Sequence, residues 1–389
     1  MPETAVTLEA PPLILHVIHH LVMGGMENGL VNLINHMPAS HYRHAVLCIE
    51  DYSDFRSRIR RPDVEVIALH RSRISIGKLR REIFRLCRRL RPAVLHTRNQ
   101  SGLDALLPAR LAGVAHCVHG EHGWDVHDLE GKKLKPVILR RLHAPLIDRY
   151  VTVSNDLAQY LVRRVGIRAA RISHICNGVD TGRFQPGARQ SPDWLPADFR
   201  GDGLLRIGTV GRIQPVKDQA TLLNAFAQLL TLQPALRRQL RLIVVGNGPL
   251  LAELRALAES LHVADVTYFP GALDNVPEVL RALDVYVLPS LNEGISNTIL
   301  EALASGLPVI ATAVGGNVEL IGDGVCGRFF APRDTSALSQ LLLEYAVNPS
   351  LRQAHGQAAR RIAVEQFSLT TMVARYEAVY DRVRRPQKG

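Results

Sequence analysis

Pro289-Ser290-Leu291-Asn292-Glu293-Gly294-Ile295-Ser296-Asn297-Thr298-Ile299-Leu300-Glu301-Ala302-Leu303-Ala304-Ser305-Gly306-Leu307-Pro308-Val309 is the stretch that decides the architecture. It follows the apolar run Val285 to Leu288, which predicts a buried strand ending at Pro289. A polar loop containing a glycine comes next. A helix should begin near Ser296 or Asn297, whose side chains can accept hydrogen bonds from the unpaired amides of a first turn. Ser305-Gly306 stops that helix before the next apolar run, Pro308 to Ala311. Strand, loop, helix and strand in this order form the βαβ unit of a parallel sheet, and the loop is a platform for a ligand.

The same alternation extends in both directions. Leu204 to Val210, Arg241 to Val245, Val266 to Phe269 and Gly327 to Phe330 complete a Rossmann-like domain over 204–369. Leu13 to Ile18, His44 to Ile49, Val64 to Leu69, Ala93 to His96, His116 to Val118, Tyr150 to Val153 and Arg171 to Ile175 predict another over 1–180. Pro186, Gly187, Pro192, Pro196, Gly201 and Gly203 give 181–203 the composition of a linker. The amphipathic segment 370–389 reads as a helix crossing back to the first domain. The expected fold is therefore α/β, two Rossmann-like domains facing each other across a cleft bordered by the carboxyl ends of both sheets.

Composition fits this plan. The chain has 389 residues, 47% hydrophobic and 21% charged, enough for two cores and too apolar for disorder. No run approaches the roughly 18 consecutive apolar residues of a membrane span. The start carries Glu3 and Glu9 and lacks the basic flank of a secretory signal, so a cytoplasmic protein is expected. Five scattered cysteines suggest neither a disulfide framework nor a zinc site. Forty-seven basic against 36 acidic residues give a net charge of +11, which favours anionic partners without choosing among them.

Several clusters carry chemistry. Backbone amides from Gly294, Ile295, Ser296, Asn297 and Thr298 at a helix start suit a diphosphate, because the dipole is positive there. Glu293 and Glu301 are good acceptors for vicinal hydroxyls, which suggests a sugar and a ribose. Gly211-Arg212 with Lys217 follows the first strand of the second domain, and its two cations could neutralise a diphosphate during bond cleavage. Lys217 is one of only six lysines among the basic residues, hinting that a compact ammonium is wanted there. Gly24-Gly25 permits close backbone approach to a phosphate or sugar, but is not a dinucleotide fingerprint. His119-Gly120-Glu121-His122-Gly123-Trp124-Asp125 lies after a first-domain strand, where a histidine would face the ligand.

With these residues in place, the sequence resembles the retaining glycosyltransferases of family 4, which have the GT-B fold and the hallmark E-x7-E, matched by Glu293 and Glu301. Gly24-Gly25, Asn177-Gly178-Val179-Asp180, Gly211-Arg212 with Lys217, Gly246-Asn247-Gly248-Pro249 and Gly315-Gly316 with Glu319 follow the family's order. His19-His20 through Gly29, with the His119 to Gly123 segment, is most similar to sugar transferases of exosortase (PEP-CTERM) exopolysaccharide systems. The resemblance implies that Glu301 binds the ribose, Glu293 a hydroxyl of the transferred sugar, and Arg212 and Lys217 the diphosphate. Gly24, Gly25, Gly211, Gly248 and the amides from Gly294 to Thr298 would assist, and Leu273 would sit near the base. Either His119 or His122 could touch the donor sugar, with His122 favoured.

The co-substrate implied is a UDP- or GDP-linked sugar, with no metal and no other cofactor. The acceptor implied is a growing exopolysaccharide or a lipid-linked saccharide. Residues 56–91 hold thirteen basic residues, and Lys132, Lys133, Lys135, Arg140 and Arg141 surround Val137-Ile138-Leu139. These suggest peripheral contact with the anionic inner face of the cytoplasmic membrane. Nucleic acid is not expected, since aromatics for base stacking make up only 5% of the chain. The rivals within the fold are a 2-epimerase-like enzyme, a PLP-dependent phosphorylase, for which Lys217 is the only second-domain candidate lysine, and a non-catalytic nucleotide-sugar binder.

Overall fold

The computed structural model describes residues 10–123, 133–188, 192–201 and 203–385. Trp124, Asp125 and Lys132 lie outside the described residues. The chain divides into two compact units, one formed by 1–176 with 372–389 and the other by 177–371.

The first unit is built on a seven-stranded parallel sheet of β1 (Leu13–Ile18), β2 (Arg43–Cys48), β3 (Glu65–Ala68), β4 (Val94–Arg98), β5 (His116–Glu121), β6 (Arg149–Thr152) and β7 (Ile172–His174). Their order is β3-β2-β1-β4-β5-β6-β7. All six residues of β1 are buried, as expected where helices cover both faces of a parallel sheet. One face packs Leu15, Val17, Leu47 and Leu95 against Leu79, Ile83 and Leu106 of the covering helices. The other carries Ile18, Val46 and Cys48 against Leu30, Val31 and Ile34 of the helix Gly25–His36.

The second unit repeats the pattern with β8 (Leu205–Val210), β9 (Leu240–Val245), β10 (Thr267–Gly271), β11 (Val285–Leu288), β12 (Val309–Thr312) and β13 (Gly327–Phe330). Here the order is β10-β9-β8-β11-β12-β13, again parallel throughout. Leu222, Phe226 and Leu229 of the helix Gln219–Leu232 fill its core against Leu242, Val244 and Val287. Truncating a buried ring such as Phe226 to alanine would cost about 3–5 kcal/mol. Both sheets switch direction of strand addition at their first strand, between β1 and β4 and between β8 and β11. In open α/β sheets ligands bind outside the carboxyl ends at such a point.

The expected linker is not a free spacer. Phe184, Leu195 and Phe199 are buried within the second unit. Arg360 Nη1 donates to the carbonyls of Phe184 and Ala304 at 2.9 and 2.7 Å, stitching the segment to that unit. Among the described residues no helix is long and apolar enough to cross a membrane, and the five cysteines are all free and buried.

Candidate functional site

The second unit concentrates the expected residues on the loops that leave the carboxyl ends of β8 to β12. After β8, Pro215–Lys217 forms a single 3-10 turn that ends at Asp218 with φ +46°. The amide of Leu291, after β11, donates to Val216 O at 2.8 Å and so fastens the two loops across the switch point. That link brings Lys217 Nζ to Glu293 Oε1 at 2.5 Å. Ser290 Oγ donates to the same oxygen at 2.6 Å. Their side chains retain 24% and 10% exposure respectively, so the pair is sheltered but open to a ligand. Arg212 is exposed on the same loop, its carbonyl accepting from Gln219 Nε2 at 3.0 Å.

The helix Asn297–Ala304 starts where the sequence placed it. Ser296 is its cap, with Oγ accepting from Ile299 N at 3.3 Å, and Thr298 Oγ1 lies 3.1 Å from the same hydroxyl. Asn297 accepts from Asn177 Nδ2 at 2.9 Å, which gives the Asn177-Gly178 segment a structural place. Glu301 sits half-buried farther along the helix. Beneath it, Tyr286 donates to Val210 O at 3.2 Å and bonds Thr298. Burial raises the Tyr286 phenol far above its ordinary value, so it stays neutral beside both glutamates. Tyr286 and Ser290 were not singled out in the sequence, since an aromatic in an apolar run and a serine in a loop are common.

Backbone contacts lock these loops together. Ile213 N donates to Asn247 O at 2.9 Å, next to Gly248, and Gly246 N to Gly271 O at 2.8 Å, two residues before the half-buried Leu273. Gly316 N donates to Gly294 O at 2.9 Å. Gly315 has φ +50°, and a Cβ there would stand 1.8 Å from Glu293 O. Gly211, Arg212, Lys217, Gly248, Leu273, the Glu293 to Thr298 segment and Glu301 thus share one edge of one sheet.

The first unit holds the remaining residues at its own carboxyl edge. Gly24 and Gly25 follow β1 and open the helix Gly25–His36, with Gly24 as an extended cap. The histidine segment differs from expectation, because β5 continues to Glu121 and His119 is a strand residue with no exposure. His119 Nδ1 bonds Thr97 Oγ1 at 2.8 Å, and its Nε2 lies 3.3 Å from Glu121 Oε1. Arg140 grips Glu121 with two bonds of 2.6 and 2.9 Å. Burial opposes the Glu121 charge, but Arg140 and His119 outweigh it and hold the carboxyl well below its ordinary value. His119 is a member of this internal network rather than a ligand-facing group.

His122 is the first residue past β5. Its amide donates to Asn99 Oδ1 at 2.8 Å. Its Nε2 is sealed from solvent without a hydrogen-bond partner, and burial, aided by Arg98, lowers its pKa to about 3. Asn99, unanticipated, ties three loops at the switch point. Its amide donates to Gly120 O at 2.8 Å and its Nδ2 reaches Met26 Sδ at 3.6 Å. It does so with φ +52°, a strained backbone for a residue with a side chain.

Arg98, beside it, is 1% exposed. It donates to His16 Nδ1 at 3.1 Å and to His96 Nδ1 at 3.4 Å, and His96 Nδ1 also bonds Tyr380 OH at 2.8 Å. His16 Nε2 then bonds His44 Nδ1 at 2.9 Å. Burial first, then Arg98, holds His16 and His96 well below the ordinary imidazole value, and burial lowers His44 to about 3. Neutral imidazoles are what an enclosed guanidinium requires as acceptors.

The basic surface also departs from expectation. Arg140 is inside, engaged with Glu121, and Val137 is buried with it. On the helix Ile76–Leu90 the arginines face outward, with Arg85 and Arg89 paired to Glu82 and Glu65 at 2.8 and 2.7 Å.

Comparison with known proteins adds an independent line. Residues 23–183 match the family described as Glycosyltransferase Family 4, and residues 198–362 match Glycosyl transferases group 1. A D-inositol 3-phosphate glycosyltransferase of Actinosynnema mirum is 39% identical over 219 residues, 53% of this chain and 51% of the relative. The chain thus spans about half the length of the curated relatives it matches. The putative glycosyltransferase EpsF of Bacillus subtilis is 29% identical over 312 residues, 76% of this chain and 78% of that protein. The crystal structure of Anabaena Alr3699/HepE in complex with UDP superposes with a TM-score of 0.79 at 19% identity, covering 96% of this chain and 100% of the other.

Proposed function

This chain carries the paired Family 4 and group 1 glycosyltransferase domains, and from that premise we propose that it moves a sugar, with retention, from a nucleoside diphosphate sugar to a growing exopolysaccharide or a lipid-linked saccharide. The observation that carries the reading is the Lys217–Glu293 pair, 2.5 Å apart at the switch point of the second sheet. In the proposed reaction the bond between the anomeric carbon and the phosphate oxygen breaks and the acceptor oxygen bonds that carbon from the same face. The acceptor proton passes to the departing diphosphate. The protein's task is then to meet charge developing on the diphosphate.

Lys217 and Arg212 supply cations for that charge, and the amides at the start of Asn297–Ala304 supply donors with a favourable dipole. Glu293 fixes the ammonium with one oxygen and keeps the other for a sugar hydroxyl, while Glu301 serves the ribose. His122 is the residue assigned to the transferred sugar in this reading. No cofactor beyond the nucleotide sugar enters the scheme. UDP in the Anabaena structure and the polyol phosphate named for the Actinosynnema relative support a nucleotide donor and a hydroxylated acceptor.

The reading extends to the inner face of the cytoplasmic membrane. Leu134, Ile138 and Leu142 recur every four residues on one helix and are 69%, 53% and 70% exposed, beside Lys133, Lys135 and Arg141. Such a stripe suits an interface with anionic lipid. Equal failure to float with anionic and neutral vesicles would remove this extension.

The test of the central reading is calorimetric titration with UDP, GDP, ADP and their common sugar conjugates, for the parent and for Lys217→Ala. One nucleotide family should bind, and turnover should fall more than donor affinity in the variant. Binding of none, or identical behaviour of the variant, refutes the donor site. Release of free nucleotide and sugar without acceptor would mark an epimerase-like activity instead.

A further inference from the structure

The first unit has a second concave region at the opposite edge of its sheet. There His116 begins β5, Arg149 begins β6, Arg171 immediately precedes β7, and the last turn of the helix Leu369–Arg384 closes one side. Together they line a cavity of about 830 Å³ whose walls include Arg149, Arg171, Arg382, Arg384 and Arg385.

Five guanidinium groups line this wall against two carboxylates, Asp148 within it and Asp381, which accepts from Tyr42 OH at 2.6 Å and so shares that hydroxyl with Arg384. Among the described residues none of the five forms an ion pair, and the one acid in the wall, Asp148, is occupied by Arg110 Nη2 at 2.8 Å and by the Cys117 amide at 2.7 Å. The arginines are held by uncharged groups instead. Arg149 is 8% exposed and donates to Ala170 O at 2.9 Å. Arg171 donates to Ala144 O at 3.0 Å and stacks over the Tyr150 ring at 5.7 Å. Arg384 donates to Tyr42 OH at 3.3 Å. Such holds orient each fork while leaving N–H groups to spare, since a guanidinium has five donors. Burial, Arg382 and Arg171 all work against the Arg149 charge, a cost that a bound anion would offset.

We infer that this cavity is a binding site for an oligophosphate, an anion carrying two or more phosphoryl groups, separate from the donor site. Planar forks match phosphate oxygens two at a time, and five cations call for several negative charges on one ligand. The carboxyl-edge loops with Gly24, Asn99 and His122 lie at the other edge of the same sheet, so the ligand bound here is not the one proposed to react.

The test is calorimetric titration of the full chain with inorganic pyrophosphate, alongside inorganic phosphate, at constant ionic strength. Three chains are compared, the parent, Arg382→Glu/Arg385→Glu and Lys217→Ala. Both arginines are exposed at a helix end, and unchanged melting would show the double variant intact. Pyrophosphate should bind more tightly than phosphate. Its affinity should fall at least tenfold in the double variant and keep a full equivalent in Lys217→Ala. Loss confined to Lys217→Ala, or no binding by the parent at millimolar pyrophosphate, overturns the site whatever the fate of the donor reading. A second arm uses phosphatidylcholine vesicles with and without a polyprenyl diphosphate. Flotation that requires the diphosphate and the two arginines assigns the ligand to a lipid headgroup, whereas pyrophosphate binding without flotation assigns it to a soluble oligophosphate.

Discussion

Gly315→Ala tests whether the interlocked loops hold the candidate site in register. The added Cβ would lie 1.8 Å from Glu293 O, and real Cβ contacts keep at least 3.0 Å, so one of the two loops must retreat by about 1.2 Å. The left-handed φ adds strain of about 1–2 kcal/mol for a residue with a side chain. Because the obstructing atom belongs to the main chain of Glu293, the shift carries with it the carboxylate that holds Lys217. Misplacement of about 1 Å costs roughly a hundredfold in rate, or about 3 kcal/mol of transition-state stabilisation. The expected result is a fall of about a hundredfold in kcat/KM with melting lowered by several degrees. Gly113→Ala separates strain from collision, since it is also left-handed at φ +91° but meets nothing within 4 Å. It should lose about 1 kcal/mol of stability and keep donor affinity. If Gly315→Ala retained kcat/KM within twofold, the site would not depend on this contact.

Three further outcomes follow from the first unit. Asn99→Gly, which relieves the backbone but removes the tie to the His122 amide, should cost about tenfold or more in kcat/KM without lowering the melting temperature; an unchanged rate would show that Asn99 does not position His122. His16, His44, His96 and His122 take up protons more readily unfolded than folded, so stability should drop as pH falls below about 6.5, continuing towards about 3 for His44 and His122. Each contributes up to about 1.4 kcal/mol per pH unit, and equal melting temperatures at pH 7 and pH 5 would show that they are not held neutral. Arg140→Leu strands the Glu121 carboxylate in the interior and should cost about 3–5 kcal/mol by denaturant unfolding, whereas a loss under 1 kcal/mol would deny that the pair is buried.

Strands made of apolar residues were legible almost to the residue. Leu13 to Ile18 and Val285 to Leu288 coincide with β1 and β11 because apolar residues dominate strands buried on both faces, His16 being the one polar residue of β1. The errors lie where polar residues end a strand. Ala93 to His96 and His116 to Val118 stop short of the ends of β4 and β5. Thr97, Arg98, His119 and Glu121 look like loop residues, yet each bonds partners from neighbouring strands or helices, which one-dimensional periodicity does not contain. In the candidate site, Glu293, Glu301 and Lys217 stood out by charge type and spacing. Asn99, Ser290 and Tyr286 did not, because their roles depend on which loops meet in space.

The division of the chain has a consequence for biosynthesis. His96 bonds Tyr380, a partner 284 positions later, and the whole second unit is encoded between them. At roughly 5–20 residues per second the first sheet, complete at β7, waits about 10–40 s for the helix that covers it. During that interval the Arg98 guanidinium and its histidines remain hydrated, and the seven strands lack their final cover. The second unit, contiguous in sequence, has no such delay. Ribosome-bound chains truncated at residue 371 and carried clear of the exit tunnel on a flexible linker should therefore resist protease over 177–371 while the earlier half is still cut.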